Sequence, residues 1–97
     1  MEERDYIIIL YDIYGELLTK KQKTYFEEYY FNNLSLGEIS INLGVSRNAV
    51  HKCLISAEEK LKFYEEKLKL FYKNNIIHDI IKKTKNTKLK NKLKELI

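Results

Sequence analysis

The sequence predicts an all-α protein built on a helix-turn-helix, a three- to four-helix core followed by a long helix and a basic helical tail. Three observations carry this expectation. The 97 residues include no proline and only three glycines, so little interrupts helix formation. Apolar residues recur at three- and four-residue steps, and no alternating Val/Thr-rich run marks a strand. The segment SLGEISINLGVSRNAVHKCL, Ser35 to Leu54, fits the helix-turn-helix pattern position by position. A chain of this length holds one core and little more.

The first helix is predicted over about Asp5 to Leu18. Its apolar residues, among them Tyr6, Ile7, Ile8, Ile9, Leu10, Ile13, Tyr14 and Leu17, fill more than one stripe, so burial on more than one side is expected. The run Ile7–Leu10 has no partner strand elsewhere and is read as helix. Thr19 with Gln22 forms a capping box that opens a second helix to about Phe31, and Asn32-Asn33 closes it. Tyr25, Phe26, Tyr29, Tyr30 and Phe31 lie there at helical spacing and are expected to pack in the core rather than stack bases.

Ser35 with Glu38 is a second capping box, opening a short helix to about Leu43. Gly44 supplies the positive φ of the turn. Ser46 caps a helix that meets no break signal from Arg47 to about Lys73. Ile76, Ile77, Ile80 and Ile81 suggest another amphipathic helix, TKNT (Thr84 to Thr87) a break, and Leu89, Leu93 and Leu96 a last helical segment among lysines. The expected division is residues 1–72, the helix-turn-helix with its long helix, and 73–97, the basic tail.

Within the motif, a small residue is needed where the helices cross, and Ser40 is there. Ile39, Leu43, Val45, Val50 and Cys53 fall where the pattern needs core contacts. That leaves Arg47, Asn48, His51, Lys52 and Ile55 on the outward face of the second motif helix, the face that enters the major groove in DNA-binding versions. Arg47 is one of two arginines among eighteen basic residues, and guanidinium offers a bidentate geometry that lysine lacks. Against this, the motif carries few charges, with Arg47 and Lys52 opposed by Glu38.

Net charge is +4, unevenly spread. Residues 73–97 hold eight lysines against Asp79 and Glu95, while residues 1–72 hold ten basic and twelve acidic side chains. An acidic body with a basic tail suggests an anionic partner for Lys82, Lys83, Lys85, Lys88 and Lys90, with Lys92 and Lys94 beyond them. A nucleic-acid backbone is the candidate partner and a merely solubilising appendage the alternative; an anionic membrane surface ranks third, because the apolar face is short and lacks aromatic anchors.

Enzyme chemistry finds no support. His51 and Cys53 are two residues apart on a helix and share no face, and His78 is remote, so no metal-ligand spacing exists. The lone Cys53 excludes an internal disulfide and fits a reducing compartment. Paired glutamates such as Glu58-Glu59 and Glu65-Glu66 have lysines four residues on, as in Glu58–Lys62 and Glu65–Lys69, the pattern of a solvated helix face. There is no glycine-rich phosphate loop, no cofactor signature and no stretch long enough to span a membrane. The acidic start MEERDY does not resemble a leader peptide, so a cytoplasmic protein is expected.

Val50, Leu54, Ala57, Leu61, Tyr64, Leu68 and Phe71 alternate steps of four and three, the seam of a coiled coil. Leu54, Leu61, Tyr64, Leu68 and Phe71 are therefore candidates for a homodimer or partner interface, with Lys60 and Glu65 flanking it. The alternative is that the stripe packs on the first two helices of its own chain.

The segment TKKQKTYFEEYYFNNLSLGEISINLGVSRNAVHKCL resembles the fourth region of bacterial sigma factors. With LLTKKQ, YY, LSLGEI, VSRNAV and EEKLKFYEEKLKLF together, about Tyr6 to Tyr72 resembles the YlxM family of small helix-turn-helix proteins still more closely. The resemblance implies a regulatory protein associated with the signal recognition particle pathway, partnered by that particle's GTPase or its RNA. Two readings follow: a non-enzymatic regulator binding DNA or the particle's RNA, the GTPase, or both, and a protein-interaction adaptor using the fold as a scaffold.

Overall fold

The computed structural model describes residues 1–97 and contains six helices and no strand. They are α1 (Glu3–Tyr14), α2 (Lys20–Tyr30), α3 (Leu36–Leu43), α4 (Arg47–Leu68), α5 (Leu70–Lys83) and α6 (Thr87–Lys94), with one 3-10 turn, Gly15–Leu17, after α1. Both capping boxes form: Thr19 and Gln22 bond each other's backbone amides at the start of α2, and Ser35 and Glu38 do so at α3. The Ser35 backbone amide, then its hydroxyl, holds the Glu38 carboxyl below its ordinary range. Gly44 ends α3 at φ 67 and Asn33 takes φ 56 after α2, so both turns lie where the sequence puts them.

Two clusters make the core. In the first, Ile7, Leu10 and Tyr14 of α1 meet Phe26 and Tyr30 of α2 and Ala57 and Leu61 of α4. In the second, Ile39 of α3, Tyr25 of α2 and Val50 and Leu54 of α4 lock the helix-turn-helix to the body. Each fully buried aliphatic or aromatic side chain here contributes about 1.5–3 kcal/mol of apolar transfer. The α1 stripe at positions 7, 10 and 14 is fully buried, while Ile8, Ile9 and Ile13 on the other sides are only half-buried. Leu43, expected in the core, is instead 37% exposed, because it sits at the last turn of α3 beyond the reach of the second cluster.

Arg4 ties the start of α1 to the end of α2. Its Nη2 donates to the Tyr30 carbonyl at 2.9 Å and to Asn33 Oδ1 at 3.0 Å, and the guanidinium lies 5.0 Å from the Tyr30 ring centre. The sequence carries no local signal for this clamp, since its partners are 26 and 29 residues away.

The long helix stops short of the sequence expectation. It was expected to run to about Lys73, yet it ends at Leu68, where Lys69 adopts φ 54 and α5 begins. A left-handed conformation costs a non-glycine residue about 1–2 kcal/mol. Tertiary hydrogen bonds offset it. The Leu70 amide donates to the Tyr14 hydroxyl at 3.0 Å, and the Phe71 and Tyr72 amides donate to Glu65 Oε1 and Oε2 at 3.1 and 3.2 Å.

Glu65 is therefore buried, which corrects its reading as half of a solvated Glu65–Lys69 pair or as a flank for interchain pairing with Lys60. Glu58 and Lys62 also look elsewhere: Glu58 accepts from the Tyr30 hydroxyl, and Lys62 pairs with Glu3 at 2.6 Å. Helix α5 packs its first turn on α1, with Phe71 and Tyr6 ring centres 5.8 Å apart. No side chain beyond Phe71 joins either core cluster, and the molecule is elongated, 55 × 24 × 21 Å. None of its helices is long and apolar enough to cross a membrane.

Candidate nucleic-acid interface

Helix α4 is exposed on one side along its length, and its first two turns form the outward face of the motif. Ser46 accepts the Ala49 amide at 3.0 Å and fixes the helix start, while Val50, Leu54 and Ala57 turn inward. The opposite side of the same turns presents Arg47, Asn48, His51 and Lys52, all exposed, with Ile55 beyond them. Ser40, half-buried in α3, donates its hydroxyl to the Gly37 carbonyl at 2.7 Å, so the small residue of the motif spends its polar group locally.

Two open depressions flank this face. On one side Arg47, Asn48 and His51 line a hollow of about 450 Å³ with Leu36, the first residue of α3. On the other, Lys52, Ala49, Cys53 and Ser56 line one of about 440 Å³ with Thr19, Lys21 and Gln22 from the start of α2. The N-terminal ends of α3 and α2 thus each wall one hollow beside the start of α4, and a helix start carries partial positive charge. Counting formal charges in the motif misses that contribution.

Lys21 is the residue that sequence reasoning overlooked. It lies thirty-one positions before Lys52 and on another helix, with its Nζ 5.7 Å from the Tyr25 ring centre. Arg47 is also set apart by contrast with Arg4: it enters no ion pair within the chain. Cys53 is half-buried beside Lys52, and burial raises its thiol pKa, which leaves it a packing residue rather than a nucleophile.

The remaining sequence candidates divide. Leu54 and Leu61 are buried within their own chain, so they offer no surface to a second molecule. Tyr64 and Phe71 are half-buried against the first core cluster, and Leu68 is 45% exposed at the end of α4. The tail lysines lie on α5, α6 and the link between them: Lys82, Lys85 and Lys88 are exposed, Lys90 is half-buried, and Lys83 pairs with Asp79 at 3.0 Å. No group of three or more His, Cys, Asp or Glu side chains comes together anywhere in the chain.

Fold and motif define a helix-turn-helix protein. The family model described as "Putative helix-turn-helix protein, YlxM / p13 like" matches residues 1–97, and the chain belongs to that family, UPF0122. A family member from Caldanaerobacter subterraneus is 50% identical over 80 residues, 82% of this chain and 68% of the relative. One from Malacoplasma penetrans is 43% identical over 89 residues, 92% and 83% of the two chains. A third, from Ureaplasma urealyticum, is 39% identical over 94 residues, covering 97% and 95%.

Proposed function

We propose that the chain is a non-enzymatic regulator that binds nucleic acid through the N-terminal face of α4. Arg47, Asn48, His51 and Lys52 make the contacts, and Lys21 joins from α2. The observation that carries the reading is the environment of Arg47: exposed, unpaired within the chain, and set between the starts of α3 and α4. A bidentate donor held there suits a phosphate or a guanine edge. The body, residues 1–72, supplies this specific face. The tail, residues 73–97, adds sequence-independent affinity through Lys82, Lys85, Lys88 and Lys90.

The resemblance noted above makes the signal recognition particle pathway, in the cytoplasm, the setting of choice, with the particle's RNA beside duplex DNA as ligand and its GTPase as a protein partner. The test is binding of the full chain and of Arg47→Ala to a DNA duplex and to the particle's RNA at one fixed salt concentration. Loss with either ligand supports the reading and tells which nucleic acid is meant. Equal affinity of both proteins for both ligands overturns it.

The alternative, an adaptor that docks proteins, draws on the modest formal charge of the motif and the exposed apolar residues of α5 and α6. It expects partner binding to survive Arg47→Ala and to fail when Leu68 or the tail is altered.

A further inference from the structure

Two surfaces remain after the α4 face is accounted for, and their chemistry is complementary. The first is a groove of about 510 Å³ between α1 and α2. Ile8, Ile9 and Phe31 form its apolar part, and Asp12, Glu16 and Glu27 rim it. Phe31 is 48% exposed there. Glu16 is partly neutralised by Lys23 at 3.1 Å, and Glu27 accepts from the Tyr11 hydroxyl, while Asp12 has no ion pair.

The second surface is on α5. Phe71, Asn74, Ile77 and Ile81 are half-buried and form the side turned toward the rest of the chain. Tyr72, Ile76 and Ile80, each four residues from the next, form a separate stripe that is 41–55% exposed at every position. Lys73 and Lys82 stand exposed on the same helix. The fold of one chain leaves this apolar stripe about half open to solvent.

We propose that the chain forms a reciprocal homodimer in which the Tyr72–Ile76–Ile80 face of α5 from each copy docks in the α1–α2 groove of the other, lysines against the acidic rim. The argument for a second copy as occupant is charge. The groove is rimmed by carboxylates and α5 carries Lys73 and Lys82 exposed beside its apolar stripe, so one sequence supplies both halves in equal number. The tail does not fill its own groove. Its direction is set at Leu70–Tyr72 by Tyr14 and Glu65, and both surfaces stay open within one chain. A twofold arrangement closes on itself and makes the contact twice, which is how a short helix face reaches the roughly 1,200 Å² of a stable interface. This proposal goes beyond the nucleic-acid reading and does not depend on it.

The experiment is sedimentation velocity on the full chain across the micromolar range. Asp12→Lys alters the groove and Ile80→Glu the tail; both positions are exposed, and circular dichroism checks the fold. The expected result is a dimer for the unaltered chain and at least tenfold weaker association for each variant alone. An equimolar mixture then regains dimer, because one tail–groove contact is intact in the mixed pair and none in either parent pair. Ile76→Glu replaces Ile80→Glu if the latter loses helix content. A monomer at every concentration overturns the proposal. So does a dimer indifferent to Asp12→Lys, which would assign association to another surface such as Leu68, and so does a mixture that stays monomeric.

Discussion

Tyr14 donates its phenol to Glu65 Oε1 at 2.7 Å, and the same phenol oxygen accepts the Leu70 amide at 3.0 Å. These two side chains, fifty-one residues apart, decide where α4 stops and where the tail points. The phenol sits with its ring fully buried in the first core cluster, so the end of α4 is registered against α1 rather than left to local preference. Removing the hydroxyl leaves the Leu70 amide without its partner and Glu65 with fewer donors. Tyr14→Phe is expected to lose about 1–3 kcal/mol of stability, read as a lower urea midpoint with an unchanged denaturant slope.

The same pair sets an alkaline limit. Burial, and then the hydrogen bond to Glu65, pushes the Tyr14 pKa up to about 12 from 10.0. The folded state holds this proton more tightly than the unfolded chain, so its contribution is complete below pH 10 and is lost as pH rises from about 10 toward 12. Burial and carboxylate partners raise Tyr11 and Tyr30 as well, through Glu27 and Glu58, and they add to the alkaline loss. Urea midpoints measured at pH 9 and pH 11 should fall for the unaltered chain and fall less for Tyr14→Phe.

Lys69→Gly offers a sign test of the helix break. Glycine accepts φ 54 without the penalty lysine bears, though it costs unfolded-state entropy, so a net gain of about 0.5 kcal/mol is expected. Were α4 and α5 one continuous helix, the same change would cost about 1 kcal/mol. The midpoint of a denaturant titration distinguishes the two by direction alone.

The two arginines should separate stability from binding. Arg4→Ala removes two hydrogen bonds and a cation–ring contact, and is expected to cost about 1–2 kcal/mol of stability. Arg47→Ala breaks no ion pair or cation–ring contact within the chain and should leave the urea midpoint within about 0.5 kcal/mol. Paired stability and nucleic-acid binding measurements on both variants check the contrast.

What was legible in the sequence was whatever is specified within a few residues. Thr19 with Gln22, Ser35 with Glu38, Gly44 and Ser46 are short-range signals, and each terminus they mark is where the chain folds it. The break at Lys69 was hidden because no glycine, proline or capping motif marks it; Glu65 looks like a surface glutamate until Tyr14 of another helix meets it and it turns to the Phe71 and Tyr72 amides. Arg4, Lys21 and Leu43 escaped for the same reason, since their surroundings come from distant segments. The outward face of α4 was legible from helical spacing alone. The hollows beside it were not, because α2 and α3 supply their far walls.

The central claim is that nucleic acid is held at the N-terminal face of α4, and a salt titration of duplex binding tests it most directly. Each phosphate contact contributes a slope of about −0.9 in log affinity against log salt. The unaltered chain should show a steep slope. With Arg47→Ala, affinity should drop by about 1–3 kcal/mol if Arg47 reads a base, or the slope should become shallower by about one contact if it holds a phosphate. A slope and affinity identical for the two proteins would contradict the account and leave the tail lysines as a nonspecific clamp.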